Sequence, residues 1–337
     1  MRAMVIESIA PLVAGGAPLK LVELPVPVPA ADEILIQVAA CGVCHTEIDE
    51  IEGRTPPPRL PVVPGHEVIG RVAGSGADCH RYEIGERLGI GWIHRSSGTS
   101  DENLSPEFCA TGRDVNGGYA EYMTVTEPYA YPIPDIFSDA EAAPLMCAGA
   151  VGYRALRACG LADGQLLGLT GFGGSAHLVL QTAQYLYPAG KIFVFARSDR
   201  ERKFALDLGA AWAGDTDADP PQKLHAIIDT TPVWRPVVAA LRALRPGGRL
   251  VINAIRKEDH DRELLANLSY AEHLWLEKEL KTVANVTARD IREFLAVAAR
   301  IPIRPEVQVY PLEQANEAIQ ALHSAHVRGT KVLKINF

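Results

Sequence analysis

Hydrophobic residues fall along this chain in two textures. From Leu21 to Arg157 they come in short runs between Gly and Pro. EILIQVAA, HEVIGRVAG and GYAEYMTV alternate or cluster apolar positions as half-buried strands do. This region is predicted to be mostly β with irregular loops. From Gly164 the runs change character: QLLGLTG reads as a strand, HLVLQTAQYLY as a helix, KIFVFA as a strand and DRERKFALDLG as a helix. HAIIDTT, the amphipathic RPVVAALRALRPGG, RLVINAI and KTVANV continue the alternation, which predicts a parallel sheet with helices on both faces. The final stretch, ARDIREFLAVAARI and then VQVYPLEQANEAIQALHSAHVRGTKVLKINF, reads as helix, strand, helix and strand, and offers a return to the first region. No internal repeat interrupts this order, and PVPVP (25–29) and PPP (56–58) are rigid local segments.

Composition narrows the function classes. At 337 residues, 47% hydrophobic and 22% charged, the chain has the make-up of a globular protein long enough for two domains. Its 33 Lys and Arg against 41 Asp and Glu give a net charge of −8 with no basic stripe, which argues against nucleic acid as a partner. The N-terminal MRAMVIESIAPLVAGG reads as a strand and loop rather than a signal peptide. No apolar run approaches the ~20 residues of a membrane span, so the expected location is the cytoplasm. In that reducing compartment the six cysteines, at 41, 44, 79, 109, 147 and 159, must be packed thiols, metal ligands or nucleophiles.

A cofactor loop is legible after the strand QLLGLT. Gly171-Phe172-Gly173-Gly174-Ser175-Ala176 is followed at once by a helical run, giving G-x-G-x-x-A where a dinucleotide fold requires it. Gly171 permits the tight turn, Gly173 and Gly174 let a pyrophosphate approach the backbone, and Ala176 lets helix and strand pack closely. Alone, such a hexapeptide is also a flexible loop; the strand before it, the helix after it and a second strand ending near 196 favour the cofactor. That second strand ends Phe195-Ala196-Arg197-Ser198-Asp199-Arg200. Ala196 removes the carboxylate that would repel a 2′-phosphate, and Arg197 and Ser198, with Arg200 or Arg202 nearby, suit one. NADP(H) is therefore expected over NAD(H). The plainer alternative makes these arginines a solvated helix start with Asp199 as its cap.

Three further segments carry metal-ligand chemistry: Cys41-Gly-Val-Cys44-His45-Thr46, Gly65-His66-Glu67, and Ala143-Pro-Leu-Met-Cys147-Ala-Gly. The CxxC alone has the spacing of a redox dithiol, but no thioredoxin-like βαβ pattern surrounds it. In these segments the chain resembles the zinc-containing alcohol dehydrogenases of the medium-chain dehydrogenase/reductase superfamily, over nearly its whole length. Gly65-His66-Glu67-x2-Gly70-x5-Gly76-x2-Cys79 matches that family's zinc signature, and CGVCHT, NGGYAEY (116–122) and APLMCAG are its usual neighbours.

The resemblance implies an α/β protein in three chain segments: a GroES-like β-rich catalytic domain (1–150), a Rossmann doubly wound parallel sheet (151–288) inserted in it, and a return to the catalytic domain (289–337). The active site would lie in the cleft between. Carried over by position, Cys44, His66 and Cys147 are the catalytic zinc ligands, with water or Glu67 in fourth place, a set that also suits a catalytic zinc. Cys41 is then not a ligand, and Cys41, Cys79 and Cys159 are expected as packed thiols. Thr46 matches the hydroxyl that bonds the substrate oxygen and starts a proton relay through the nicotinamide ribose, and His45 a position near the pyrophosphate. Trp92 resembles the aromatic lining the substrate pocket.

Several positions depart from the family. Asp49 stands where many members end the relay with a histidine, which leaves the terminal base open, direct escape to water included. Thr55 replaces a tryptophan of some short-alcohol enzymes, leaving room for larger or aromatic substrates, and Val151 replaces a threonine that touches nicotinamide. Many relatives carry a four-cysteine lobe holding a structural zinc; here residues 96–109 keep only Cys109, so one zinc per chain is expected.

The expected activity is thus reversible hydride transfer between a primary or aromatic alcohol, or its aldehyde, and NADP(H), with zinc polarising the substrate oxygen. Analogy with the family also implies a homodimer or homotetramer. A zinc-free quinone or enone reductase on the same architecture, and a non-catalytic NADP-binding protein, are the alternatives.

Overall fold

A computed structural model describes residues 1–301, 303–324 and 329–335. Its elements run β1 (Arg2–Ile6), β2 (Leu19–Glu23), β3 (Glu33–Val43), α1 (His45–Ile51), β4 (Val68–Ser75), β5 (Arg87–Ile90), β6 (Ile93–Arg95), β7 (Cys109–Ala110), β8 (Tyr122–Thr126), β9 (Ala130–Pro132) and α2 (Asp139–Ala142). The middle of the chain forms α3 (Ala148–Ala158), β10 (Leu166–Thr170), α4 (Ala176–Leu186), β11 (Lys191–Phe195), α5 (Asp199–Asp207), β12 (Trp212–Gly214), β13 (Leu224–Asp229), α6 (Arg235–Ala243), β14 (Leu244–Ile252) and β15 (Glu279–Thr282). Last come α7 (Ala288–Ala298), β16 (Val307–Pro311), α8 (Ala315–His323) and β17 (Thr330–Lys334). The chain divides into two compact units, the first built from Met1–Ala150, Val286–Ala299 and Arg304–Phe337, the second from Val151–Asn285 and Arg300–Ile303. The return begins at Val286, slightly ahead of the expected 289, and Arg300–Ile303 goes back to the second unit.

The first unit is built on β3. Its alternating Ile34, Ile36, Val38 and Ala40 are all buried, the period-two pattern of a strand with one face on a core. The strand is central in a sheet ordered β16-β17-β3-β4-β5-β9, with β8 also pairing β3. The C-terminal return takes part directly: β17 runs antiparallel to β3, setting Leu333 against Cys41 and Lys331 against Val43. The end of β3, where the first cysteines lie, is therefore held on both sides.

In the second unit six parallel strands are ordered β12-β11-β10-β13-β14-β15. Counted from β10 this is 3-2-1-4-5-6, the doubly wound dinucleotide-binding order, whose direction of progression reverses between β10 and β13. Successive residues of each strand serve opposite faces. Leu167, Leu169, Ile192 and Val194 pack with Leu156, Val179, Leu180 and Phe204 from α3, α4 and α5. Leu166, Phe193 and Phe195 pack with Val237, Ala240 and Leu241 from α6. Helices thus cover both faces, as the near-continuous apolar strands require. Among the described residues no helix is long and apolar enough to cross a membrane.

Candidate functional site

Donor atoms of Cys44, His66, Glu67 and Cys147 lie within 4.8 Å of one another in the first unit. Each is delivered by a change of local structure. Cys44 is the extended residue between β3 and α1 (φ −115°, ψ 164°). His66 and Glu67 immediately precede β4, and Gly65 before them has φ +98°, a conformation that glycine adopts without strain. Gly42 is required by space instead: a Cβ there would sit 1.8 Å from Glu67 Oε2, while Gly42 N–H donates to the Glu67 carbonyl at 2.8 Å. Cys147 follows the short turn Ala143–Met146, and Ala148 N–H donates to Glu67 Oε1 at 3.3 Å.

The second carboxylate at this site is one that the sequence reading did not single out. Glu47, on α1 and fully buried, accepts Cys44 N–H on Oε2 at 2.6 Å and faces His66 Nδ1 with Oε1 at 2.7 Å. It thereby leaves Nε2 as the ring's donor atom and fixes the ring plane. Its signal was present as an acid three residues after an extended residue that begins a helix.

Charge at the cluster is unbalanced. A hydrogen bond with Cys147 draws the Cys44 thiol well below its usual range against the opposing effect of burial, and the same contact raises Cys147. Burial opposes charge on His66, yet Glu47 and Cys44 pull it well above its ordinary value. Burial first, and then the Cys44 charge, push Glu67 far up. Glu50, also buried, is raised by burial and by Glu47. Ionising these groups together is what burial and their mutual repulsion oppose and a bound cation would relieve; two sulfurs, one imidazole nitrogen and one carboxylate oxygen converging on one point suit zinc.

Of the other expected residues of this unit, Thr46 and Trp92 lie beside the cluster. Thr46 is buried with Oγ1 3.6 Å from Cys44 Sγ. The Trp92 ring centroid lies 5.8 Å from that of His66, with Phe108 edge-on to Trp92 at 5.6 Å. Asp49 is wholly buried and accepts Arg54 Nε–H at 2.8 Å, and its carbonyl accepts Thr55 N–H. His45 is exposed. Cys41 is outside the donor group, packed where a Cβ on Gly65 or Gly118 would strike its sulfur, and burial raises its thiol. The expectation of a packed thiol at Cys79 is corrected: it is part-exposed, on the turn after β4, with Sγ 3.7 Å from the Ala31 carbonyl, whereas Cys159, in the second unit, is buried and raised to about 12 by that burial. Around Cys109 the segment 96–109 is held by Glu102, which accepts Tyr129 Oη–H at 2.7 Å and Ala288 N–H, at the start of α7, at 2.6 Å.

In the second unit Gly171 follows β10 with φ +75°, and a Cβ would come within 3.0 Å of Thr231. Gly173 faces open space where a side chain would project, and Gly174 leads to α4 starting at Ala176. A turn with glycine at 171, 173 and 174 and its Phe172 ring buried, at the N-terminus of a helix and at the reversal of strand order, fits a dinucleotide pyrophosphate. Val151 lies in α3. Ala196 is buried just beyond β11 and Arg197 is exposed. The plainer alternative, a helix start at this point, is observed with a different cap: not Asp199 but Ser198, whose hydroxyl accepts Glu201 N–H at 3.2 Å and donates to Glu201 Oε2 at 2.8 Å. That hydroxyl is consequently occupied within the helix start. Arg202 is likewise tied to the Ala196 carbonyl and to Asp199.

Residues 30–135 match the alcohol dehydrogenase GroES-like domain, and residues 210–333 the zinc-binding dehydrogenase domain. A probable alcohol dehydrogenase, AdhA, of Mycobacterium tuberculosis is 41% identical over 94% of this chain and 93% of its own. Among solved structures, an NAD-dependent alcohol dehydrogenase superposes with TM-score 0.88 at 23% identity, covering 100% of both chains. A CAD from Helicobacter pylori complexed with NADP(H) gives 0.85 at 20% identity, covering 99% of this chain and 97% of that one.

Proposed function

Because this chain belongs to the zinc-containing alcohol dehydrogenases of the medium-chain dehydrogenase/reductase superfamily, we propose that it transfers hydride reversibly between a primary or aromatic alcohol and NADP(H). The observation that carries this reading is the gathering of Cys44, His66, Glu67 and Cys147 within 4.8 Å, with the Thr46 hydroxyl beside Cys44. We assign Cys44, His66 and Cys147 as ligands of a single zinc, with Glu67 or water in the fourth place. When bound, zinc supplies Lewis acidity at the substrate oxygen and the nicotinamide gives or takes the hydride.

The chain's own residues do the rest. Glu47 orients His66, Thr46 Oγ1 holds the substrate's proton, and Trp92 forms an apolar wall next to His66. Asp49 has its carboxylate paired with Arg54, and we assign it to holding that end of α1 rather than to carrying the proton. Gly171, Gly173, Gly174 and Ala176 receive the pyrophosphate, with His45 as a further contact. For the 2′-phosphate, support comes from Ala196, which brings no carboxylate, and from Arg197 and Arg200, which make no ion pair among the described residues. Ser198 would contribute through its backbone, since its hydroxyl caps α5. A cytoplasmic location goes with this reading, all six cysteines being unpaired.

Self-association belongs to the same proposal. Edge strand β15 is exposed along its length, and Tyr270, Leu274, Trp275, Leu276 and Leu280 around it are each more than 40% exposed. Such an edge beside an apolar patch suits a second copy of the chain.

The deciding experiment is elemental analysis of the purified protein combined with NADPH and NADH oxidation against short aliphatic, long aliphatic and aromatic aldehydes. One zinc per chain and chelator-sensitive turnover with NADPH preferred are expected. Two zincs, or a marked NADH preference, would overturn the corresponding part. Turnover of quinones or enones that survives zinc removal would favour the zinc-free reductase.

A further inference from the structure

A buried charge cluster lies directly under the glycine turn. Asp229, the last residue of β13, is fully buried, and the Lys257 ammonium reaches it from the segment after β14. Asp229 Oδ1 also accepts the hydroxyls of Thr170, the last residue of β10, and of Thr231, the latter at 2.8 Å. Lys257 Nζ donates further to the carbonyls of Thr231 at 2.6 Å and Val233 at 3.0 Å.

An ammonium has three N–H donors, and all three are used here, so Lys257 has none left for a ligand. Through Asp229 it ties its own segment beyond β14 to the end of β13 and, by way of the Thr170 hydroxyl, to the end of β10, at the place where strand order reverses. The clamped segment touches the turn: Thr230 Oγ1–H donates to the Thr170 carbonyl at 2.9 Å, and a Cβ on Gly171 would meet Thr231 at 3.0 Å and Thr230 at 3.1 Å.

We propose that Lys257, through Asp229, Thr231 and Val233, is a positioning residue for the dinucleotide, holding the segment 230–233 against which the Gly171 turn is set. The proposal rests on the reading of that turn as a cofactor site. Without the clamp, 230–233 is free to shift and the turn loses its support, so the backbone N–H groups must be reordered when the pyrophosphate binds.

The test uses the full-length, zinc-loaded protein and titrates NADPH by its fluorescence, with Tm measured alongside. K257M leaves the Asp229 carboxylate buried and unpaired, and should both lower Tm and weaken NADPH at least tenfold. The double variant D229N/K257M removes both charges, so its Tm should recover towards wild type while NADPH binding stays at least tenfold weaker. If the double variant regains both, or if K257M binds NADPH as the wild type does, the pair is merely structural and the proposal is overturned. A wild type that binds neither NADPH nor NADH would sink the cofactor reading and this proposal with it. Wild-type binding that every variant retains would sink the proposal alone.

Discussion

Replacing Glu47 by glutamine tests how the metal cluster is held. Glu47 bridges two donors, Cys44 N–H at 2.6 Å and His66 Nδ1 at 2.7 Å, from a position with no solvent access. A glutamine of the same shape can accept from only one of them, because its amide nitrogen must then face the other donor. The variant therefore loses one charge-assisted bond, worth about 1.5–3 kcal/mol, and the negative charge that makes His66 a better base. Partners of this kind typically account for 10- to 100-fold in metal affinity, about 1.4–2.8 kcal/mol, and the two figures agree. The measurement is competition for zinc with a chromophoric chelator under reducing conditions, with the Tm of the metal-free protein as a check on folding. E47Q should bind zinc 10- to 100-fold more weakly while the metal-free protein stays folded. Zinc affinity within twofold of wild type would refute the reasoning.

Three further outcomes are expected. Glu33 is drawn down to about 2, first of all by its hydrogen bond with His94. A depressed carboxyl adds stability that is complete above its ordinary value of 4.5 and is lost as pH falls towards 2. H94L should therefore lose less Tm than wild type between pH 5 and pH 3, and equal losses would contradict the assignment. E102A removes both bonds that hold segment 96–109 to Tyr129 and α7, so limited proteolysis should cut there first, with a stability loss of roughly 3 kcal/mol. Unchanged protease resistance would show that the segment is held otherwise. W275E places a charge in the apolar patch beside β15 and should shift the mass in solution to that of a monomer; a wild type already monomeric by light scattering would remove the basis for a dimer.

Much of this protein was legible from the chain. The switch from Gly- and Pro-punctuated strands to alternating apolar strands and amphipathic helices identified both units, because a half-buried sheet and a doubly covered parallel sheet demand different periodicities. The glycine turn could be read because its residues are constrained by backbone conformation and by lack of room, as at Gly171. Cys44, His66, Glu67 and Cys147 could be named as a set only through the family resemblance, since nothing in their spacing says that they meet.

Tertiary structure decided what sequence spacing cannot carry. That Glu47 rather than a nearer-looking acid holds His66 depends on which face of α1 turns towards the residues before β4. Ser198 caps α5 in place of Asp199 because its backbone is extended where the helix begins. Glu102 meets Ala288 across 186 residues, and Lys257 meets Asp229 across 28. Partners of this kind are selected by burial: a charged group removed from water must find its counter-group in three dimensions, wherever along the chain that group happens to be.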